Sequence, residues 1–142
     1  MTIDIFALVN ENKIIAPIKQ SNAKALPGED IRIDVVVRTR GVGHHFPAGT
    51  IDAFDIWLEL KATDEDGKII FWNGMIDTKD GKNGQVDPNA HFYKSHLIDE
   101  RGNHINKRNA WAARTILYSR TIPPGAADTV RYRLTIPEDC GK

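Results

Sequence analysis

Ile31, Ile33, Val35 and Val37 alternate with Arg32, Asp34, Val36 and Arg38, which is the two-residue period of a strand with one buried face. The same period returns in Phe54, Ile56, Leu58, Leu60 and Ala62, set against Asp55, Trp57, Glu59 and Lys61. Near the end of the chain Val130, Tyr132, Leu134 and Ile136 alternate with Arg131 and Arg133, predicting a strand over Thr129 to Ile136. Thr2 to Val9 is rich in β-branched and aromatic residues and predicts another. Ile69 to Trp72 follows the turn Thr63 to Lys68, whose Asp-Gly step suits a tight hairpin, and so pairs back on the strand before it. His91 to Ile98 and Arg114 to Ile122 complete the strands, with one short helical turn around Trp111. There is no amphipathic helix of ordinary length and no internal repeat. Short strands punctuated by turns predict an all-β fold, an antiparallel β-sandwich with long crossover loops.

At 142 residues the pattern fits a single domain over 1–142, large enough to bury one core without staples. Nineteen basic and nineteen acidic side chains cancel, so nothing in the charge favours nucleic acid or an anionic membrane. Near-neutrality also gives little protection against self-association. No apolar run is long enough for membrane insertion as a helix, and the N-terminus lacks a signal-peptide pattern. The single cysteine, Cys140, excludes an internal disulfide, and the absence of Cys-x-x-Cys-His excludes covalent attachment of a c-type haem.

Chemistry concentrates in Gly41 to Asp52, which carries His44 and His45 between two strands. The link is too long for a hairpin, so it crosses between sheets, carries function, or both. Gly41, Gly43 and Gly49 permit unusual backbone conformations and Pro47 stiffens the centre, so the loop aims its side chains. Adjacent histidines point in different directions, and only one of the two is expected to serve a given role. In the plainest reading one packs under the loop and the other is solvated; in the functional reading an imidazole is presented to a metal. His91 and His104 are secondary metal candidates, with His91 and His96 expected on opposite strand faces. Asp52 and Asp87 lie among loop acids that could hold calcium, although the spacing does not match an EF-hand and solvated turn aspartates are the better explanation. Trp57 is the aromatic to watch as a ligand surface, because its strand neighbours are Asp55, Glu59 and Lys61; the other tryptophans are expected to pack inward. No Gly-x-Ser-x-Gly is present, and Cys140 has no base near it in sequence.

The stretch Val35 to Leu60, with Gly43-His44-His45-Phe46-Pro47-Ala48-Gly49 at its centre, resembles the non-haem β domain of large bacterial multihaem c-type cytochromes. The similarity continues through Val86 to Tyr93, Asn106 to Arg114 and Ile122 to Thr129. It implies a non-catalytic accessory or docking domain of an electron-transfer protein, periplasmic or extracellular, partnered by a haem-bearing segment or cytochrome. A rigid histidine loop in such a protein could donate His44 or His45 to a neighbouring haem. The family further implies a strand beyond Lys142. Together with the strand opening at Thr2, this reads the chain as excised or truncated from a longer exported protein. Two other classes stay open: a small-ligand or carbohydrate-binding module built on Trp57, and a metal-dependent enzyme using His44, His45, His91 or His104 with an aspartate.

Overall fold

A computed structural model describes residues 1–11, 13–49, 54–78, 84–105 and 109–140. In chain order its strands are β1 (Thr2–Asn10), β2 (Lys13–Ile15), β3 (Asp30–Arg38), β4 (Trp57–Leu58), β5 (Leu60–Thr63) and β6 (Ile69–Asn73). They are followed by β7 (Ile76–Asp77), β8 (Gln85–Val86), β9 (His91–Phe92), β10 (Ser95–Ile98), β11 (Thr115–Ser119) and β12 (Ala127–Thr135). The helical content of the described residues is two 3-10 turns, Ile18–Gln20 and Ala110–Ala112. The fold is all-β and antiparallel, as the alternation predicts.

The long strands form one four-stranded sheet in the order β12-β3-β1-β2. In antiparallel pairs directly opposed residues share a face, so Val35 lines up with Ile5 and Val130, and Ile33 with Leu8 and Tyr132. That shared face carries most of the core. Val35, Val37, Val130 and Tyr132 pack against Leu58, Leu60, Tyr93 and Ile122, with Ile33, Phe46, Ile56, Phe71 and Ala126 around them. A smaller cluster of Leu8, Ile31 and Ile136 closes the other end. The remaining strands form two-stranded ribbons, β4-β9, β5-β6, β7-β8 and β10-β11, of which β4, β5 and β6 bring Leu58, Leu60 and Phe71 to the core.

Two predicted strands are broken in the structure. Phe54 to Ala62 divides at Glu59: Trp57 and Leu58 pair with β9, whereas Leu60 to Thr63 pair with β6. The cause lies in β6, which ends beside Gly74, where φ is +82° and the chain turns off the ladder. Leu58 and Leu60 are buried as the alternation requires, but Phe54 at the predicted start is exposed. His91 to Ile98 likewise divides at Tyr93 and Lys94, its first part joining β4 and its second joining β11. The Tyr93 amide donates to Ile56 O (2.8 Å) and the Arg120 amide to Lys94 O (2.9 Å), so the corner keeps its backbone bonds while changing partners.

Candidate functional site

The histidine loop is pinned by a backbone bridge at Phe46. Phe46 and Ile122 exchange backbone hydrogen bonds of 2.8 and 2.7 Å, Pro47 is buried, and the Phe46 ring meets Tyr93 edge-on at 6.1 Å. Gly41 and Gly49 both take positive φ, in keeping with the shape expected of the loop. Just before the pin, His44 and His45 are both exposed. His44 Nδ1 lies 2.8 Å from the His45 carbonyl oxygen. A carbonyl only accepts, so Nδ1 carries the proton, and in the neutral ring Nε2 is left with the lone pair. His45 Nδ1 meets the Thr121 hydroxyl at 3.1 Å, a partner that can donate or accept and therefore selects no tautomer.

His91 occupies a different environment. Arg120 donates to its Nδ1 (3.1 Å), which forces the remaining proton onto Nε2, and Nε2–H donates to Asp128 Oδ2 at 2.9 Å. Tyr93, almost wholly buried, donates its hydroxyl to the same oxygen at 3.0 Å. Burial lowers the His91 pKa, with the Arg120 charge acting in the same direction and the Asp128 bond opposing them. Burial pulls Asp128 upward, but hydrogen bonds from His91 and Tyr93 outweigh it and leave its pKa lowered. With both ring nitrogens engaged, His91 has no lone pair to offer a metal, so its role here is to join β9 to β12.

A third histidine cluster lies on β10. His96 Nδ1 and His104 Nε2 are 2.7 Å apart, and the Tyr118 ring sits 5.9 Å from that of His96. His91 and His96 belong to separate clusters, because the strand expected to carry both divides at Tyr93 and Lys94. The metal-dependent enzyme reading requires three of His44, His45, His91 and His104 to converge with an acid. The described residues distribute them over three places, and no group of three or more His, Cys, Asp or Glu side chains suits a metal ion.

Asp87 is a turn cap. Its carboxylate accepts from the amides of Asn89 (2.8 Å) and Gly74 (3.1 Å) and from Asn73 Nδ2 (3.1 Å), and the Asn89 amide is the main cause of its lowered pKa. Its oxygens are thus already committed to the turn that a calcium reading would have to open. Asp52 lies outside the described residues. Trp57, expected on an open polar face, is half-buried: its indole N–H donates to Gly74 O at 2.9 Å and its ring tilts against Phe92. The tryptophans expected to pack inward, Trp72 and Trp111, are instead 38% and 77% exposed. No stacking platform is left at Trp57. Ser95 and Ser119 hydrogen-bond to each other across β10 and β11 at 2.7 Å.

Asp128, Arg120, Tyr93 and His96 are the polar residues that the sequence reading passed over as site members. Asp128 did leave a signal, because it continues the inward alternation of Val130 and Tyr132 by one step. A carboxylate at a core-facing position implies a partner. Arg120 and Tyr93 left none, since Tyr93 meets Asp128 and Arg120 meets His91 only through the corner at Tyr93 and Lys94. No protein-family profile matches this chain, and comparison with curated proteins and with solved structures finds no match either.

Proposed function

We propose that the chain is a non-catalytic accessory domain that docks on a haem-bearing electron-transfer partner and offers it the imidazole of His44. The tautomer of His44 carries this reading. A histidine that ligates iron through one nitrogen commonly donates its other N–H to a carbonyl, which orients the ring and raises its basicity. His44 has that arrangement in advance, with Nδ1 on the His45 carbonyl, an exposed ring, and no hydrogen bond to Nε2 among the described residues. The pin at Phe46 and Ile122 supports it further, since a loop fixed next to the ligand loses less entropy on binding. His45 ranks second, because Thr121 leaves its tautomer open. The resemblance to multihaem cytochrome domains supplies the partner class, and with it a periplasmic or extracellular setting. The fit to the haem rests on donor chemistry alone: a neutral imidazole lone pair is what the second axial position of a c-type haem accepts.

Titration of the protein with a ferric c-type haem peptide that has one vacant axial position tests the reading. The expected result is a Soret shift to the low-spin form that is abolished by His44→Ala and retained in His45→Ala. An unchanged spectrum, or a shift that survives His44→Ala, overturns it.

A further inference from the structure

The geometry points to a copper(II)-binding site formed by His96 and His104, separate from the His44 loop. His96 lies on β10, and His104 forms a bridge with Ile98, so the two imidazoles project from one face of the same hairpin on a cross-strand diagonal. The hairpin is well tied. Asp99 N donates to Asn103 O (3.0 Å) and Ile105 N to Leu97 O (2.8 Å). The Asp99 carboxylate accepts from the amides of Arg101 (2.9 Å) and Asn103 (2.8 Å), which stiffens the connecting turn. The pair is therefore held together by backbone as well as by its own hydrogen bond.

Two ring nitrogens 2.7 Å apart are close to the spacing of adjacent ligands on one metal ion. With metal–nitrogen bonds of about 2.0 Å, neighbouring corners of a square or octahedron are about 2.9 Å apart, and those of a tetrahedron about 3.3 Å. The rings now lie nearly end to end, with centroids 4.8 Å apart, so each must turn by about 45° to aim its nitrogen at a shared tetragonal ion, while the nitrogens themselves hardly move; tetrahedral zinc requires the hairpin to open further. Copper(II) combines tetragonal preference with the highest place in the divalent affinity order. The proton now shared between the rings moves to the other nitrogen of its own imidazole, so both bind as neutral ligands and no net proton is released. Water fills the remaining positions.

The surroundings are compatible with a cation. Lys94 is the adverse charge near His96, and it is engaged by Asp55 at 3.6 Å. Nothing found for His44, His91 or Asp87 enters this site, and it stands whether or not the haem reading holds.

Copper(II) alone, added to the protein and followed by electron paramagnetic resonance and calorimetry, tests the site. One equivalent is expected to bind with a tetragonal spectrum showing two imidazole nitrogens. His96→Ala and His104→Ala should each lower affinity more than about tenfold. Nickel and zinc should bind more weakly, and His44→Ala and Cys140→Ser should leave binding unchanged. Substoichiometric binding, a single-nitrogen spectrum, or loss of the signal in His44→Ala or Cys140→Ser overturns the assignment.

Discussion

At the scale of single residues, the polar cluster on β9 and β12 shows how one half-buried acid organises its neighbours. Asp128 Oδ2 accepts from His91 and Tyr93, and Arg120 closes the set from the far side of the imidazole. Tyr132 is the contrast: its hydroxyl is buried without a hydrogen-bond partner among the described residues, and burial pushes its pKa up to about 12. His91 makes stability depend on pH. An unfolded histidine titrates near 6.5, and in the folded protein burial holds His91 below that value. Between the two values the unfolded chain binds more protons, so acid favours unfolding: the stabilisation is complete above 6.5 and is lost as pH falls through the folded pKa. His96, also lowered, adds to the same window. The urea midpoint should therefore fall between about pH 7 and about pH 5. In His91→Gln, whose amide can still donate to Asp128 and accept from Arg120, the fall should be shallower. A midpoint independent of pH in the parent protein, or an identical slope in the variant, would show that His91 is not the linked group.

Elements here are shaped by where their partners end. β4 and β5 are continuous in hydrophobic pattern yet belong to different ribbons, because β6 stops at Gly74. A Cβ at Gly74 would lie 2.5 Å from the Leu58 carbonyl oxygen and 3.2 Å from the Trp57 ring, on a backbone already at φ +82°. Gly74→Ala should destabilise the fold by about 2–3 kcal/mol, through strain at positive φ together with the displaced strand. Loss of the Trp57 bond to Gly74 O should appear as a change in tryptophan fluorescence. Chemical denaturation checks the energy, and a loss under about 0.5 kcal/mol would mean that the ribbon junction is softer than its geometry implies. The two tied turns share a plan as well. Asp64 and Asp99 each cap the amides two and four residues on, within Asp-Glu-Asp-Gly-Lys and Asp-Glu-Arg-Gly-Asn. The first of these was legible in the sequence as a hairpin, and the second as a turn.

For the whole molecule, the most informative departure from pattern is β11. All five of its residues are exposed, including Ile116 and Leu117 at 61% and 70%, and Trp111 stands out nearby at 77%. With no net charge to keep copies apart, exposed apolar side chains of this kind favour association. Leu117→Lys is expected to shift the protein toward monomer in sedimentation at high concentration. Its effect on stability should stay within about 0.5 kcal/mol, because the side chain buries little. Unchanged sedimentation would exclude β11 as the adhesive surface. None of the described helical segments is long and apolar enough to cross a membrane.

What the sequence determined by itself was local and periodic. Alternation at Ile31 to Val37 and at Val130 to Ile136 marked the strands and their buried faces, since burying every second side chain writes a period of two into the chain. The Asp-Gly step at Asp66-Gly67 located the hairpin, and Gly41, Gly43 and Gly49 marked a shaped loop with His44 and His45 on it, in which Gly41 and Gly49 take positive φ. Tertiary structure alone decided where strands change partners, because the corner at Tyr93 and Lys94 and the break at Glu59 depend on distant segments. It also decided the histidine groupings. His91 meets Asp128 across 37 positions and Arg120 across 29, and His45 meets Thr121 across 76. Hydrogen bonds of this kind act over about 3 Å while the residues that make them are far apart in sequence, and no local pattern encodes such a pairing.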